Sequence, residues 1–216
     1  MHDISADRTD YSGDLLDEEA VAADPLGVFA RWLEDAYGAG NPEPTAMQLA
    51  TLAEDDDGLL RPRVRTVLLK GVNEGRFEFY TNGESAKGRE LAAHPQVALH
   101  WYWPAISRAI RVEGRAAPLP RDRAEAYFAT RPRGSQLGAW ASAQSRPIPS
   151  REDLLGAYAA AERRFAGGEV PCPPYWGGWS VTPERIEFWQ GEPSRLHDRL
   201  ECRAAGASWA VRRLAP

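Results

Sequence analysis

Cysteine is scarce. Cys172 and Cys202 are the only two among 216 residues, and they form no CxxC pair or metal-ligand spacing. A disulfide scaffold and a cysteine-built zinc site are therefore excluded. The four histidines show no HExxH or other ligand spacing, so no resident metal is expected. No GxGxxG follows a strand pattern, no GxxxxGK[ST] is present, and no GxSxG elbow occurs. Rossmann, P-loop and serine-hydrolase chemistry all lack a foothold. A long apolar run and a basic-then-apolar leader are also missing, so neither a membrane span nor secretion is expected, and two free thiols suit a reducing cytoplasm. A pI near 5.5 and a net charge of −5 argue against nucleic acid as the main partner.

Lysine is the other rarity. Of 26 basic residues only Lys70 and Lys87 are lysines. An ammonium point charge differs from a guanidinium fork in geometry and hydration. Two lysines in so arginine-rich a chain mark positions where that difference matters, or are chance occupants of a solvated surface.

What is present is enough for a sizeable core: 43% hydrophobic residues and eight tryptophans, in one large domain or two small ones. Residues 1–23 carry seven acids against a single base, Arg8, and read as a mobile acidic arm in which only Arg8 and Tyr11 could grip a ligand. Residues 24–216 are close to neutral and read as a single domain. Asp24-Pro25 is a helix start, followed by an apolar stripe of Leu26, Phe29, Ala30, Leu33 and Tyr37.

From Thr45 to Leu119 the period changes to two. Strands are expected at Thr45–Ala53, Val64–Lys70, Arg76–Thr81, Gln96–Trp103 and Ile106–Leu119, with turns at Asp55–Gly58 and Gly71–Gly75. Ser85 can cap a short helix running to His94, where Pro95 stops it. Arg121–Thr130, Ser135–Ser142 and a segment from Ser150 to Phe165 read as helices. Trp179–Thr182, Arg185–Gln190, Arg195–Arg203 and Trp209–Leu214 read as closing strands. Short strands joined by tight turns favour an antiparallel barrel with helices packed around it over a parallel sheet.

Three constellations could carry chemistry. In Ile186–Arg199, an extended segment would put Arg195, His197 and Arg199 on one face beside Trp189. Either an anionic ligand lies across them or Glu187, Asp198 or Glu201 neutralises them. Lys87 falls in the first turn of the Ser85 helix, where free N–H groups can meet a phosphate. Tyr127, Arg131 and Ser135 step by four residues, a phosphate grip in type, with structural ion pairing as the competing account.

RTVLLK (Arg65–Lys70), FYTN (Phe79–Asn82), SAKGREL (Ser85–Leu91), YFATRPRGSQLGAWASAQS (Tyr127–Ser145), WGGW (Trp176–Trp179), EFWQG (Glu187–Gly191), RLHDR (Arg195–Arg199) and the terminal RLAP together resemble the pyridoxine/pyridoxamine 5′-phosphate oxidase family. The resemblance runs from about Asp24 to Pro216. It implies an α+β, mainly β fold: an antiparallel split β-barrel with surrounding helices, forming a homodimer with FMN at the subunit interface. It also implies oxidation of pyridoxamine or pyridoxine 5′-phosphate to pyridoxal 5′-phosphate, with dioxygen as electron acceptor and hydrogen peroxide as product.

By the same resemblance, Arg65, Thr66, Val67, Leu68, Leu69 and Lys70 would contact FMN. So would Tyr80, Thr81, Lys87, Gln144, Ser145, Trp189 and Arg199. Lys70, Tyr127, Arg131 and Ser135 would hold the substrate phosphate. Arg195 and His197, with Leu196 between them, would lie at the reacting carbon as the catalytic pair, and Arg8 and Tyr11 match a lid segment. Two positions depart from the family pattern. Ala86 stands where Arg is usual before Lys87, and Ala109 stands where Gln is usual. The rival readings are another FMN oxidase of this fold, for instance one of phenazine biosynthesis, and a non-catalytic carrier of FMN or pyridoxal phosphate.

Overall fold

The computed structural model describes residues 11, 13, 15–206 and 208–216. Its first helix, α1 (Glu18–Ala23), falls inside the stretch expected to be a mobile arm. Asp17 caps it, accepting from the N–H groups of Glu19 and Ala20 at 3.0 and 3.1 Å. Val21 is buried, and Leu16 is buried with its N–H donating to Asp198 at 2.8 Å. The acidic composition of this stretch hid two apolar anchors, so Leu16–Ala23 is not part of a mobile arm.

Helix α2 (Pro25–Gly38) starts as expected, with Asp24 accepting from Gly27 N–H at 2.8 Å. Its buried stripe is Pro25, Val28, Phe29, Trp32 and Ala36, one residue out of step with the expected one. Two stripes of the same spacing share Phe29. The stripe holding Trp32 wins because an indole removes far more apolar surface from water than Ala30. Tyr37 is left half exposed.

The strands are β1 (Ala46–Glu54), β2 (Leu60–Leu68), β3 (Gly71–Asn73), β4 (Arg76–Asn82), β5 (Gln96–Trp103), β6 (Arg108–Pro118), β7 (Trp176–Gln190), β8 (Asp198–Ala205) and β9 (Ser208–Arg213). They pair in the order β2-β1-β5-β6-β7-β4-β3, with β8 on β7 and β9 on β8. The expected turn at Gly71–Gly75 is instead a tight hairpin. Gly71–Asn73 pairs with β4 up to Asn73 opposite Arg76, and Glu74 and Gly75 both take positive φ, the requirement of a type I′ turn.

Strand β7 is one strand of 15 residues where two were expected. The sequence reading breaks it at Pro183, since proline cannot donate to a ladder. β4 pairs with β7 from Trp176 to Val181 and β8 pairs with it from Arg185 onward. Pro183 falls between the two registers and interrupts neither.

The remaining helices are α3 (Ala86–Ala93), α4 (Arg121–Thr130), α5 (Arg133–Ala141) and α6 (Arg151–Arg164), each within about two residues of expectation. Among the described residues, no helix is long and apolar enough to cross a membrane.

Contacts divide the chain into two compact units. A terminal unit takes the described residues up to Leu49, with Ala98–Gly114 and Pro183–Pro216; a central unit takes Ala50–Val97 and Arg115–Thr182. In the terminal unit, Phe29 meets Trp101 edge-on at 5.1 Å and Trp32 meets Phe188 at 5.3 Å. In the central unit, Ala124, Phe128, Leu137, Ala161, Val170 and Trp176 form the core beneath α4–α6.

Candidate functional site

Helix α3 is held by its own first turn. Ser85, fully buried, accepts from Gly88 N–H at 3.2 Å and donates to Asn82 O at 2.7 Å. Gly88 cannot carry a side chain, because a Cβ there would lie 2.2 Å from the carbonyl oxygen of Gly83. This close seat turns Lys87 into a cavity of about 680 Å³ in the central unit. Lys87 Nζ donates to Gln144 Oε1 at 2.9 Å and to Thr81 Oγ1 at 3.3 Å, and Thr81 donates to the same Gln144 oxygen at 3.2 Å. Burial, then the nearby Arg65 guanidinium, lowers the pKa of Lys87.

From the run Arg65–Lys70 the structure selects four. Thr66, Val67, Leu68 and Lys70 line the cavity. Leu69 is buried in the core. Arg65 turns to Glu90, at 2.6 Å, and to Thr51. Both lysines of the chain thus border one cavity, Lys87 partly buried and Lys70 exposed at its edge. Tyr80, Thr81 and Gln144 also line it, while Ser145 is exposed with a φ of +71°.

The far wall is aromatic and cationic. Tyr80 stacks on Tyr127 at 4.1 Å and 16°, and on Trp176 at 5.6 Å and 7°. Arg131 sits with its guanidinium carbon 4.9 Å over Trp176 and 5.4 Å over Phe128. Its Nη1 is buried without a hydrogen-bond partner. Burial lowers its pKa, yet a guanidinium remains cationic. Tyr127, Arg131 and Ser135 all line the cavity although the helix breaks between them: Arg131 caps α4 in extended conformation, and α5 begins two residues later. Trp176 was not singled out from the sequence as a wall residue. Its position is fixed by Arg121, which donates to the carbonyls of Cys172, Pro173 and Trp176 at 2.7–2.9 Å.

The other expected residues lie in the terminal unit. Arg195 and His197 are not on an extended strand. Pro193–Arg195 is a 3-10 turn, with Ser194 and Arg195 both at positive φ, and β8 starts only at Asp198. Gly191, Pro193 and Ser194 carry the turn further than two-residue spacing suggested. His197 Nδ1 accepts from Glu192 N–H at 3.1 Å, which leaves Nε2 to carry the ring proton. Its ring lies 4.7 Å from Trp189 and 5.4 Å from Tyr11. Burial, then Arg195, lowers its pKa. Leu196 is 70% exposed. Arg199 donates twice to Glu187 Oε1, at 2.8 and 2.9 Å, and once to Ala215 O at 2.8 Å, so for this residue the neutralising partner is Glu187. Arg8 lies outside the described residues.

A sequence model described as “Pyridoxamine 5'-phosphate oxidase” matches residues 33–162, and one described as “Pyridoxine 5'-phosphate oxidase C-terminal dimerisation region” matches 176–216. The chain is 52% identical to a pyridoxine/pyridoxamine 5'-phosphate oxidase of Rubrobacter xylanophilus, covering 99% of this chain and 97% of that one. It is 50% identical to one from a Nocardioides species, covering 99% and 98%. The chain belongs to the pyridoxine/pyridoxamine 5'-phosphate oxidase family.

Among solved structures, PhzG from Burkholderia lata, in complex with tetrahydrophenazine-1-carboxylic acid, matches with a TM-score of 0.84 at 30% identity, covering 95% of this chain and 100% of that one. A pyridoxamine 5'-phosphate oxidase-related, FMN binding protein from Nostoc punctiforme matches with 0.69 at 18% identity, covering 89% and 97%. The fold is the mixed α+β split-barrel class with a large antiparallel sheet, as expected from the sequence.

The two departures from the family pattern can be placed. Ala86 opens α3, and Ala109 borders a smaller cavity of about 270 Å³ in the terminal unit with His100, Tyr102, Arg111, Glu187 and Trp189. The arginines near them are already engaged. Arg89 donates to Glu84 O, Arg108 to Gln190 and Asp35, and Arg111 to Glu187.

Proposed function

We propose that this member of the pyridoxine/pyridoxamine 5'-phosphate oxidase family oxidises pyridoxamine and pyridoxine 5'-phosphate to pyridoxal 5'-phosphate, as a cytoplasmic homodimer with FMN at the subunit interface. The carrying observation is Arg131: a cation stacked on Trp176, lining the cavity, with a buried Nη1 that has no partner. A buried unpaired donor costs about 1–3 kcal/mol, so the arrangement fits an anionic group that is present in the working enzyme. Tyr127, Ser135 and Lys70 add two hydroxyls and an ammonium on the same cavity, a donor set suited to a phosphate monoester.

The donors Lys87, Thr81 and Gln144, with the Thr66–Leu68 backbone, suit a flavin phosphate and ring edge and would hold FMN. The chemistry FMN supplies when bound is two-electron oxidation of the carbon bearing the amine or alcohol, with dioxygen as final acceptor and hydrogen peroxide as product. By the family resemblance Arg195 and His197 are the pair assigned to that carbon, and Nε2 of His197 is the atom available to hold or move a proton. Trp189 and Tyr11 flank the imidazole. Fixing the phosphate far from the reacting carbon spends remote binding on orientation.

The similarity to PhzG raises a reading in which the substrate carries no phosphate. That reading offers Arg131 a carboxylate, which has fewer acceptor oxygens than the phosphate monoester suited to Tyr127, Ser135 and Lys70 on the same cavity. The deciding experiment is steady-state turnover on pyridoxamine 5'-phosphate against pyridoxamine, for the original chain and Arg131→Ala. The phosphorylated substrate should be strongly preferred, and Arg131→Ala should lower kcat/KM for it by about 10- to 150-fold, the loss of a charged hydrogen bond. Equal activity on both substrates would sink the assignment. Absence of any turnover would favour a carrier.

A further inference from the structure

Gly177 and Gly178 are neighbours on β7, and only one of them is under a steric demand. Gly178 stands opposite Tyr80 in the β4–β7 ladder. A Cβ on it would lie 2.7 Å from Tyr80 Cε1, 2.8 Å from Tyr80 Cδ1 and 2.7 Å from Leu119 Cδ1. A Cβ on Gly177 would meet nothing within 4 Å. The Leu119 methyl ends a flexible side chain and can swing away. The Tyr80 ring has less freedom, because Tyr127 and Trp176 stack against it.

We propose that Gly178 is a positioning residue for the substrate phosphate: by lacking a Cβ it lets Tyr80 lie flat, and Tyr80 sets the ring stack on which Arg131 rests. The proposal rests on the reading of the cavity as the phosphate site. The relay is short and physical. Gly178 admits the Tyr80 ring, that ring stacks with Tyr127 and Trp176, and the face of Trp176 carries the Arg131 guanidinium at 4.9 Å. Glycine under a cross-strand aromatic is a pairing in which the ring covers the exposed backbone. Gly178 does not itself line the cavity; the three rings stacked beside it, Tyr80, Tyr127 and Trp176, do.

The test uses the FMN-loaded enzyme and five variants: Gly178→Ala, Gly177→Ala, Tyr80→Ala, Tyr80→Ala with Gly178→Ala, and Arg131→Ala. The readouts are KM and kcat for pyridoxamine 5'-phosphate, the dissociation constant of inorganic phosphate, and the near-ultraviolet circular dichroism of the stacked rings. Gly178→Ala should raise KM and the phosphate constant roughly three- to tenfold, the scale of one aromatic stacking contact, with kcat within about twofold and an altered ring signal. Gly177→Ala should change none of these.

On the Tyr80→Ala background the added methyl should have no further effect, because the ring through which it acts is gone. This double variant also keeps the test open if Gly178→Ala alone fails to fold. Three results overturn the proposal: Gly178→Ala behaving as Gly177→Ala, its effect persisting in full on the Tyr80→Ala background, or flavin content falling in step with activity. If Arg131→Ala leaves KM and phosphate binding unchanged, the cavity reading itself fails and this inference with it. If Arg131→Ala raises both while Gly178→Ala does not, only the inference falls.

Discussion

His197 is held below the ordinary 6.5 by burial and by Arg195, against the weaker pull of Glu192. It is therefore neutral at pH 7, with Nδ1 tied to Glu192 N–H and Nε2 free to act. Activity on pyridoxamine 5'-phosphate should rise with pH through an apparent pKa below 6.5 and level off above it. His197→Asn should give a lower plateau and lose the part of that limb due to the imidazole. An unchanged limb in the variant assigns the titration to another group. The same shift affects folding. Between the lowered pKa and 6.5 the unfolded chain takes up the proton more readily, so this residue's share of stability is complete above pH 6.5 and lost as pH falls through the folded value.

The alanines at 86 and 109 give a second test at this scale. With Arg89, Arg108 and Arg111 already engaged, little is left to compensate for them. Ala86→Arg combined with Ala109→Gln should tighten FMN by about tenfold, since each new side chain adds a hydrogen bond worth about 0.5–3 kcal/mol less its ordering cost. A fluorescence titration of apoprotein measures it, and unchanged or weaker binding would mean that the family's flavin contacts do not carry over to these two positions.

At the level of elements, the α3 cap is the most exposed to a single change. Ser85→Ala removes the bond from Gly88 N–H and the bond to Asn82 O in one step, at a site with no access to water. A cap loss costs about 0.5–2 kcal/mol. Thermal melting should fall by several degrees, and FMN affinity should fall with it, because Lys87 rides on this turn. A Ser85→Ala protein that melts lower yet binds FMN unchanged would detach the cap from the site. This helix was legible in the sequence because serine, glycine and Pro95 act locally. The α2 stripe was not, since the same spacing fitted two faces and only the size of Trp32 decided. Nor was the turn before β8: a strand period cannot show that Ser194 and Arg195 adopt positive φ.

At the scale of the whole molecule, fold class and family could be read from the sequence because long motifs recur along nearly all of it. The grouping of Lys70, Lys87, Tyr127 and Arg131 around one cavity could be expected from those motifs alone; its aromatic wall could not, since it depends on which residue of β7 faces Tyr80. If FMN binds only the folded dimer, a hundredfold excess over its dissociation constant should stabilise it by about 2.7 kcal/mol. Melting followed with and without FMN, alongside sedimentation, checks this, and a flavin-indifferent melting temperature would refute the site.

The two lysines have a further use. The cavity is bordered by every side-chain amine the chain possesses. Apart from the chain's α-amine, reductive methylation, elsewhere a scattered surface label, becomes a footprint of this single site. Lys87, its pKa lowered by burial, offers more free amine at neutral pH than an ordinary lysine. Its modification, read by peptide mass before and after loading with flavin or phosphate ester, should report occupancy without any assay of turnover. The product is an aldehyde, and aldehydes condense with unprotonated amines. If the aldehyde reaches either lysine of this cavity, borohydride would fix the adduct in a form that mass spectrometry can count.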